Sequence, residues 1–85
     1  MSTEEILAIL AQIVSEVVPG VEYEQVAMED TLVGDLGVDE LTKVDIVYAS
    51  EEEFGIEIAD EDARTLSTVA EFVDYISEKL NDEER

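Results

Sequence analysis

Length, composition and charge exclude several classes of protein. A chain of 85 residues has room for one domain with one small core. It contains no cysteine and no histidine, which excludes disulfides, thiolate chemistry, histidine-based catalysis and the usual zinc sites. The formal net charge is −20, from 24 acidic against 4 basic residues, which disfavours nucleic acid as a partner and favours proteins with basic patches.

The apolar residues predict a folded protein that does not span a membrane. They make up 46% of the chain and recur periodically, as in a globular domain. Met1 is not followed by the basic and then apolar pattern of a signal peptide. No apolar run approaches the roughly 20 residues of a membrane span. We expect a monomeric, cytoplasmic protein that does not associate with membranes.

The first predicted helix begins after Ser2, which can form a capping box with Glu5. Pro19-Gly20 ends the helical pattern. Helical spacing places its apolar residues on one broad face: Ile6, Leu7, Leu10, Ile13, Val14 and Val17.

A long connection follows, over about residues 21–38, and it includes Gly34 and Gly37. A loop of this length in a small domain usually packs some of its own side chains against the core. We expect Val26, Leu32 and Leu36 to provide that anchoring.

The second predicted helix begins at Asp39, a good N-cap residue, and continues to about Phe54. Gly55 is placed to end it in a left-handed conformation. Asp45, Glu52 and Glu53 are predicted to face outward. Its inward face is predicted to comprise Leu41, Val44, Val47, Tyr48 and Phe54.

Two further helices are predicted before the C-terminus. Asp60 begins a short one, over Glu61 to about Thr65, and Thr68 caps the last one together with Glu71. Its buried stripe is predicted to be Val69, Phe72, Val73, Ile76 and Leu80. The only alternating stretch, residues 54–58, is too short for a sheet. The sequence therefore predicts an all-α four-helix bundle, with three longer helices and one short one, over residues 1–80, followed by a flexible acidic tail, 81–85.

Catalysis and specific metal binding are not favoured by the sequence. Acid–base catalysis needs carboxylates held in a cleft with separated pKa values, and the consecutive Asp39 and Glu40 do not face one another on a helix. Residues 60–71 superficially fit a calcium-binding EF-hand loop, but Arg64 and Thr65 occupy its fifth position and its sixth, where the turn needs glycine. We expect neither an enzyme nor a specific metal site.

The stretch Leu36-Gly37-Val38-Asp39-Glu40-Leu41 resembles the Leu-Gly-x-Asp-Ser-Leu motif of acyl carrier proteins. The likeness continues through residues 44–47 and 51–58, then through 60–63 and 67–69, and ends near Tyr75-Ile76. It covers Asp30 to about Leu80 closely, while the first helix matches in pattern only. The resemblance implies the four-helix bundle of that family.

The resemblance also implies that a 4′-phosphopantetheine arm is attached where this chain has Glu40. In the family the serine of Asp-Ser-Leu bears the arm through a phosphodiester, and a carboxylate cannot replace its hydroxyl. Thr42 is two residues along and points elsewhere on the helix. We therefore expect no cofactor on the chain as written. Glu40 either stabilises the positive end of the helix dipole or mimics the charge of the phosphate.

The resemblance implies two further sets of residues. The set that would dock partner enzymes is Asp39, Leu41, Asp45, Tyr48, Glu51, Glu52 and Glu57. The set that would line an acyl pocket, or simply form the core, is Val44, Val47, Ile58, Ala63, Leu66 and Val69.

These observations lead to a first hypothesis and an alternative. The first hypothesis is a non-carrier docking, adaptor or regulatory protein for enzymes of fatty-acid or polyketide biosynthesis. The alternative is an ordinary acyl carrier protein whose attachment serine was replaced by Glu40 through engineering, and which carries acyl intermediates in its native form.

Overall fold

The computed structural model describes residues 1–83, and the side chains of residues 1–81. Within these residues the ordered elements are four α-helices and a short 3-10 helix, with a single antiparallel bridge between Thr31 and Thr68 and no strand. The predicted all-α bundle is confirmed. The helices are α1 (Thr3–Val17), α2 (Glu40–Phe54), α3 (Asp60–Ala63) and α4 (Val69–Glu83), and the 3-10 helix is Tyr23–Gln25.

The predicted capping box at the start of α1 is present. The Glu5 backbone N–H donates to Ser2 Oγ at 3.2 Å, and the Ser2 N–H donates to Glu5 Oε1 at 3.0 Å. These bonds hold the pKa of Glu5 below its ordinary value. The helix ends at Val17, just before Pro19-Gly20, as the sequence predicts. Within residues 1–83, no helix combines the length and apolar content that crossing a membrane requires.

The long connection is anchored as expected, because Val26, Leu32 and Leu36 are all buried. It is also tied to the start of α4 by three backbone hydrogen bonds, one of which runs from the Ala70 N–H to the Met28 carbonyl at 2.9 Å. The Leu32 N–H donates to the Ser67 carbonyl at 2.9 Å, and the Val69 N–H donates to the Asp30 carbonyl at 3.0 Å. The 3-10 helix in this connection was not predicted, because three residues are too short to leave a periodic apolar pattern.

Glu71 organises the N-terminus of α4 through its side chain. Its Oε1 accepts hydrogen bonds from the hydroxyl and the backbone N–H of both Ser67 and Thr68, at 2.9–3.2 Å. In return, the Glu71 N–H donates to Thr68 Oγ1 at 3.1 Å, which completes the predicted capping box. The bonds from Ser67 are the main reason that the pKa of Glu71 lies below its ordinary value of 4.5.

We predict that Glu71→Gln destabilises the protein at neutral pH and that this loss disappears in acid. Because the folded-state pKa of Glu71 is lowered, its carboxylate contributes stability above the unfolded pKa, and that contribution is lost as the pH falls through the folded pKa. The measurement is urea unfolding of both proteins at pH 7 and at several values below 4.5. A difference in unfolding free energy that is the same at every pH would contradict the assigned hydrogen bonds.

The core lies where α1 packs against α2 and α4. The predicted stripe of α4 is confirmed at Val69, Phe72, Val73 and Ile76, which are fully buried, whereas Leu80 is half-buried. Phe72 is the largest fully buried side chain. On α1, Ile6, Leu10, Ile13 and Val14 are buried, while Leu7 and Val17 pack against the edge of the core.

The predicted inward face of α2 is wrong at three of its five positions. Leu41, Val44 and Tyr48 are 80%, 48% and 64% exposed, and only Val47 and Phe54 of the predicted set are buried. The remaining buried residues of α2 are Ile46 and Ser50. Ser50 is accommodated because its hydroxyl donates to the Ile46 carbonyl at 2.7 Å. Spacings of three and four residues join Ile46, Ser50 and Phe54 on one face and the three exposed apolar residues on another.

Two other predicted boundaries differ from the structure. The short helix α3 includes Asp60 itself and ends at Ala63, before the expected Thr65. Helix α4 continues to Glu83, through the first part of the predicted 81–85 tail. Whether this tail is flexible remains a prediction, and Glu84 and Arg85 lie outside the described residues.

Candidate functional site

The start of α2 holds residue 40 at an exposed helix terminus. Before it, Gly37 turns the chain with a φ of 67°, a conformation that favours glycine, and the Val38 N–H donates to the Leu32 carbonyl at 2.8 Å. Asp39 then caps the helix by accepting the Thr42 N–H at 2.7 Å. This bond lowers the pKa of the Asp39 carboxyl. Glu40 is therefore the first residue of a well-defined helix, with its side chain in solvent.

A cavity of about 480 Å³ opens between α2 and α3, and we name it the α2–α3 groove. Glu40 is part of its wall, and the apolar part of the lining is Val44, Val47 and Ala63. Two of the chain's four basic residues, Lys43 and Arg64, also line it. The remaining lining residues are Tyr48, Glu51 and Asp60. The groove thus combines an apolar surface with charges of both signs, directly beside residue 40.

The structure divides the six predicted acyl-pocket or core residues into two groups. Val44, Val47 and Ala63 line the α2–α3 groove. The other three are buried in the core and are not part of the groove lining: Ile58, Leu66 and Val69.

Most of the predicted docking residues lie on an exposed strip of α2. Leu41, Asp45, Tyr48 and Glu52 follow one another at helical spacing, and we name them the α2 ridge. Asp39 is exposed at the beginning of the ridge. The ridge therefore presents two large apolar side chains among carboxylates.

Two predicted docking residues are placed differently from the ridge. Glu51 is half-buried, and its Oε2 accepts the Ile58 backbone N–H at 2.9 Å, so it ties α2 to the connection that leads into α3. Glu57 is exposed, but it lies two residues beyond Gly55, the C-cap of α2, whose φ is 67°. Neither carboxylate belongs to the α2 ridge.

A hydrogen bond from Tyr75 positions α3, and no pattern in the sequence indicates this bond. The Tyr75 hydroxyl donates to Asp62 Oδ2 at 2.8 Å, which links α4 to α3 next to Ala63 and Arg64. Burial, followed by this bond, raises the pKa of Tyr75. The wall of the groove that α3 supplies is therefore held from the α4 side.

The acidic residues do not form a metal centre in the described part of the chain. Among the side chains of residues 1–81, no group of three or more carboxylates converges in a way that can hold a metal ion. The stretch 60–71 is no exception. It forms α3, a turn and the start of α4, which is not the structure of a cation-binding loop.

The chain is similar to known proteins over most of its length. A family model described as "Phosphopantetheine attachment site" matches residues 5–76. Acyl carrier protein from Acidothermus cellulolyticus is 44% identical over 77 residues, which cover 91% of this chain and 90% of that protein. Acyl carrier protein from Thermotoga maritima is 44% identical over 79 residues, with 93% of this chain and 96% of that protein covered.

The fold comparison agrees with the sequence comparisons. A solved structure of acyl carrier protein from Enterococcus faecalis superposes with a TM-score of 0.75 at 38% sequence identity, covering 93% of this chain and 99% of that one. The family match begins within α1, spans α2 and α3, and extends into α4. The chain therefore belongs to the acyl carrier protein family, a family of carriers and not of enzymes.

Proposed function

We propose that this chain is an acyl carrier protein of fatty-acid synthesis whose attachment position is residue 40, and that it acts as a carrier in the form that has serine there. The observation that supports the proposal is the placement of residue 40. It is the exposed first residue of α2, directly after the Asp39 cap and beside a groove with an apolar lining. A flexible arm fixed at this point has access to both the solvent and the α2–α3 groove.

The position fits a phosphopantetheine arm, but the side chain does not. The family's arm is joined through a hydroxyl oxygen, and Glu40 offers a carboxylate, which cannot form that phosphodiester. The nearest hydroxyl on α2 belongs to Thr42, which is half-buried and two residues further along. Two residues rotate a side chain by more than half a turn of an α-helix, so Thr42 does not substitute for residue 40. We infer that Glu40 replaces the attachment serine.

Two candidate functions follow from Glu40. In the first, the carrier form of the protein has serine at position 40 and Glu40 is an engineered replacement. In the second, the serine was lost naturally and the protein is a non-carrier adaptor or regulatory protein. The relatives favour the first, because they are acyl carrier proteins that align over at least nine-tenths of their length. Only Glu40 itself favours the second, and nothing in the comparisons supports a role in polyketide synthesis.

Both candidates use the same docking surface, which we place on the α2 ridge. Leu41 and Tyr48 are large exposed apolar side chains that a partner can bury, and tyrosine is among the residues enriched where interfaces concentrate their binding energy. Asp39, Asp45 and Glu52 surround them with negative charge, in a chain of net charge −20. This arrangement complements a partner with an apolar pocket inside a basic patch. We expect the chain to dock as a cytoplasmic monomer.

The α2–α3 groove is the proposed site for the acyl chain, and two of the predicted docking residues lie at the edge of the docking surface. In the serine form, we place the acyl chain against Val44, Val47 and Ala63 of the α2–α3 groove. Glu51 and Glu57 then belong to the periphery of the docking surface, since Glu51 is engaged by the Ile58 N–H and Glu57 lies beyond the end of α2.

Competition for a modifying enzyme tests this function without changing the chain. A phosphopantetheinyl transferase, coenzyme A and a serine-bearing relative are mixed, and the intact mass of the relative is followed with time. We expect the unaltered chain to slow arm transfer to the relative, because it presents the same docking surface without the reactive hydroxyl. If a large molar excess of the chain leaves the rate unchanged, the proposed function is wrong.

A further inference from the structure

A second groove lies on the other side of the α2 ridge. It is a cavity of about 500 Å³ between α1 and α2, with the exposed Tyr23 of the 3-10 helix in its lining, and we name it the α1–α2 groove. With 3.6 residues per turn, Ala49 and Glu53 are about a quarter turn from the ridge in one direction, whereas Val44 and Val47 are displaced in the other. The α1–α2 groove is therefore separate from the α2–α3 groove that residue 40 adjoins.

The charge of this groove is of one sign. Its charged lining residues are Glu16, Glu52 and Glu53, and none of its lining residues is basic. In the α2–α3 groove, by contrast, Lys43 and Arg64 offset the carboxylates. The apolar part of the α1–α2 groove includes Ile9 and Ala49, both of which are half-buried.

The side chains around this groove can accept a positively charged side chain. The Gln12 amide donates to Glu16 Oε1 at 2.9 Å, which orders Glu16 and leaves capacity on its carboxylate to accept further bonds. Tyr23 is 42% exposed, so part of its ring is available to a positive charge. A bare metal ion does not fit the groove, since the carboxylates described, those of residues 1–81, form no converging group of three.

We propose that the α1–α2 groove is a docking site for a lysine- or arginine-bearing segment of a protein partner. Such side chains have long apolar stems, which would lie on Ile9 and Ala49. Their charged ends would reach Glu16 and Glu53, with Tyr23 alongside. The site uses neither residue 40 nor the α2–α3 groove, so it does not depend on whether the chain carries an arm. Because Glu52 belongs to both the ridge and this groove, one partner can occupy both.

The test uses a defined peptide and the full chain. A synthetic amphipathic peptide with lysine and leucine at helical spacing, blocked at both ends, is titrated into the ¹⁵N-labelled protein. We expect the amide signals of Ile9, Tyr23 and Ala49 to shift. We also expect Glu53→Lys to weaken binding by about tenfold, because it places a like charge where the peptide's lysine binds. Glu53 is exposed, so this variant keeps its fold, which circular dichroism verifies.

A matched variant separates groove binding from general attraction to an acidic chain. Glu78→Lys makes the same charge change at an exposed position of α4, outside both grooves. The proposal requires Glu53→Lys to weaken binding several-fold more than Glu78→Lys. Equal weakening by both variants would show diffuse attraction and overturn the proposal. Shifts confined to Val44, Ala63 and their neighbours would place the peptide in the other groove and overturn it equally.

Discussion

Replacing Leu41 with aspartate should weaken the chain's competition for the phosphopantetheinyl transferase by about tenfold or more. Leu41 is 80% exposed and lies at the N-terminal end of the α2 ridge, one residue from Glu40. Docking would bury this side chain against the partner, and Leu41→Asp would instead bury a carboxylate there. A charge without a partner is costly at the centre of an interface. The measurement is the concentration of each variant that halves the rate of arm transfer to the serine-bearing relative.

Two further variants make this result specific. Thr3→Asp adds the same charge at the exposed first residue of α1, where an acid is favourable, and it should compete like the unaltered chain. Asp45→Lys reverses a charge on the ridge, and its effect should act on the association rate and shrink as salt is added. If Leu41→Asp competes as well as Thr3→Asp, the α2 ridge is not the docking surface.

Phe72→Ala should lower the free energy of unfolding by about 3–5 kcal/mol, a large part of the stability of a small domain. Phe72 is 0% exposed and is the largest fully buried side chain. Its removal leaves a cavity in the core that the surrounding structure can fill only in part. Natural domains have only about 5–15 kcal/mol in total, and the net charge of −20 already opposes compactness here.

Chemical unfolding of three proteins checks this prediction. Phe72→Leu should lose clearly less than Phe72→Ala, because it keeps most of the buried volume. Tyr48→Ala removes an aromatic ring of similar size from a position that is 64% exposed, and it should change stability by only about 0.5 kcal/mol. A loss for Phe72→Ala no larger than that for Tyr48→Ala would contradict the described core.

The sequence predicted the ends of the longer helices better than it predicted which face of α2 is buried. The capping boxes at Ser2 and Thr68 are local, so reading three residues ahead was sufficient to find them. The buried face of α2 failed because apolar residues lie on both sides of this helix. The apolar character of Tyr48 predicts an inward position, whereas nothing in the pattern indicates that the small polar Ser50 is buried in the core.

The sequence predicts which residues begin the candidate site, but it does not predict the grooves that surround them. The Asp39 cap and the exposed position of residue 40 follow from a short motif. The two grooves depend on how α1, α2 and α3 pack together. No local sequence pattern indicates how far apart these helices lie. The bond from Tyr75 to Asp62 likewise joins residues 13 positions apart on two helices. Predicting such links requires the tertiary structure.

Intact mass after incubation with coenzyme A and a phosphopantetheinyl transferase tests the central claim most directly. Three proteins are compared: the unaltered chain, Glu40→Ser, and Asp60→Ser, which places a hydroxyl on the first residue of α3 beside the same groove. The account predicts that Glu40→Ser alone gains the mass of one arm. It would be contradicted if Glu40→Ser stays unmodified while a serine-bearing relative is modified, or if the unaltered chain or Asp60→Ser gains the arm.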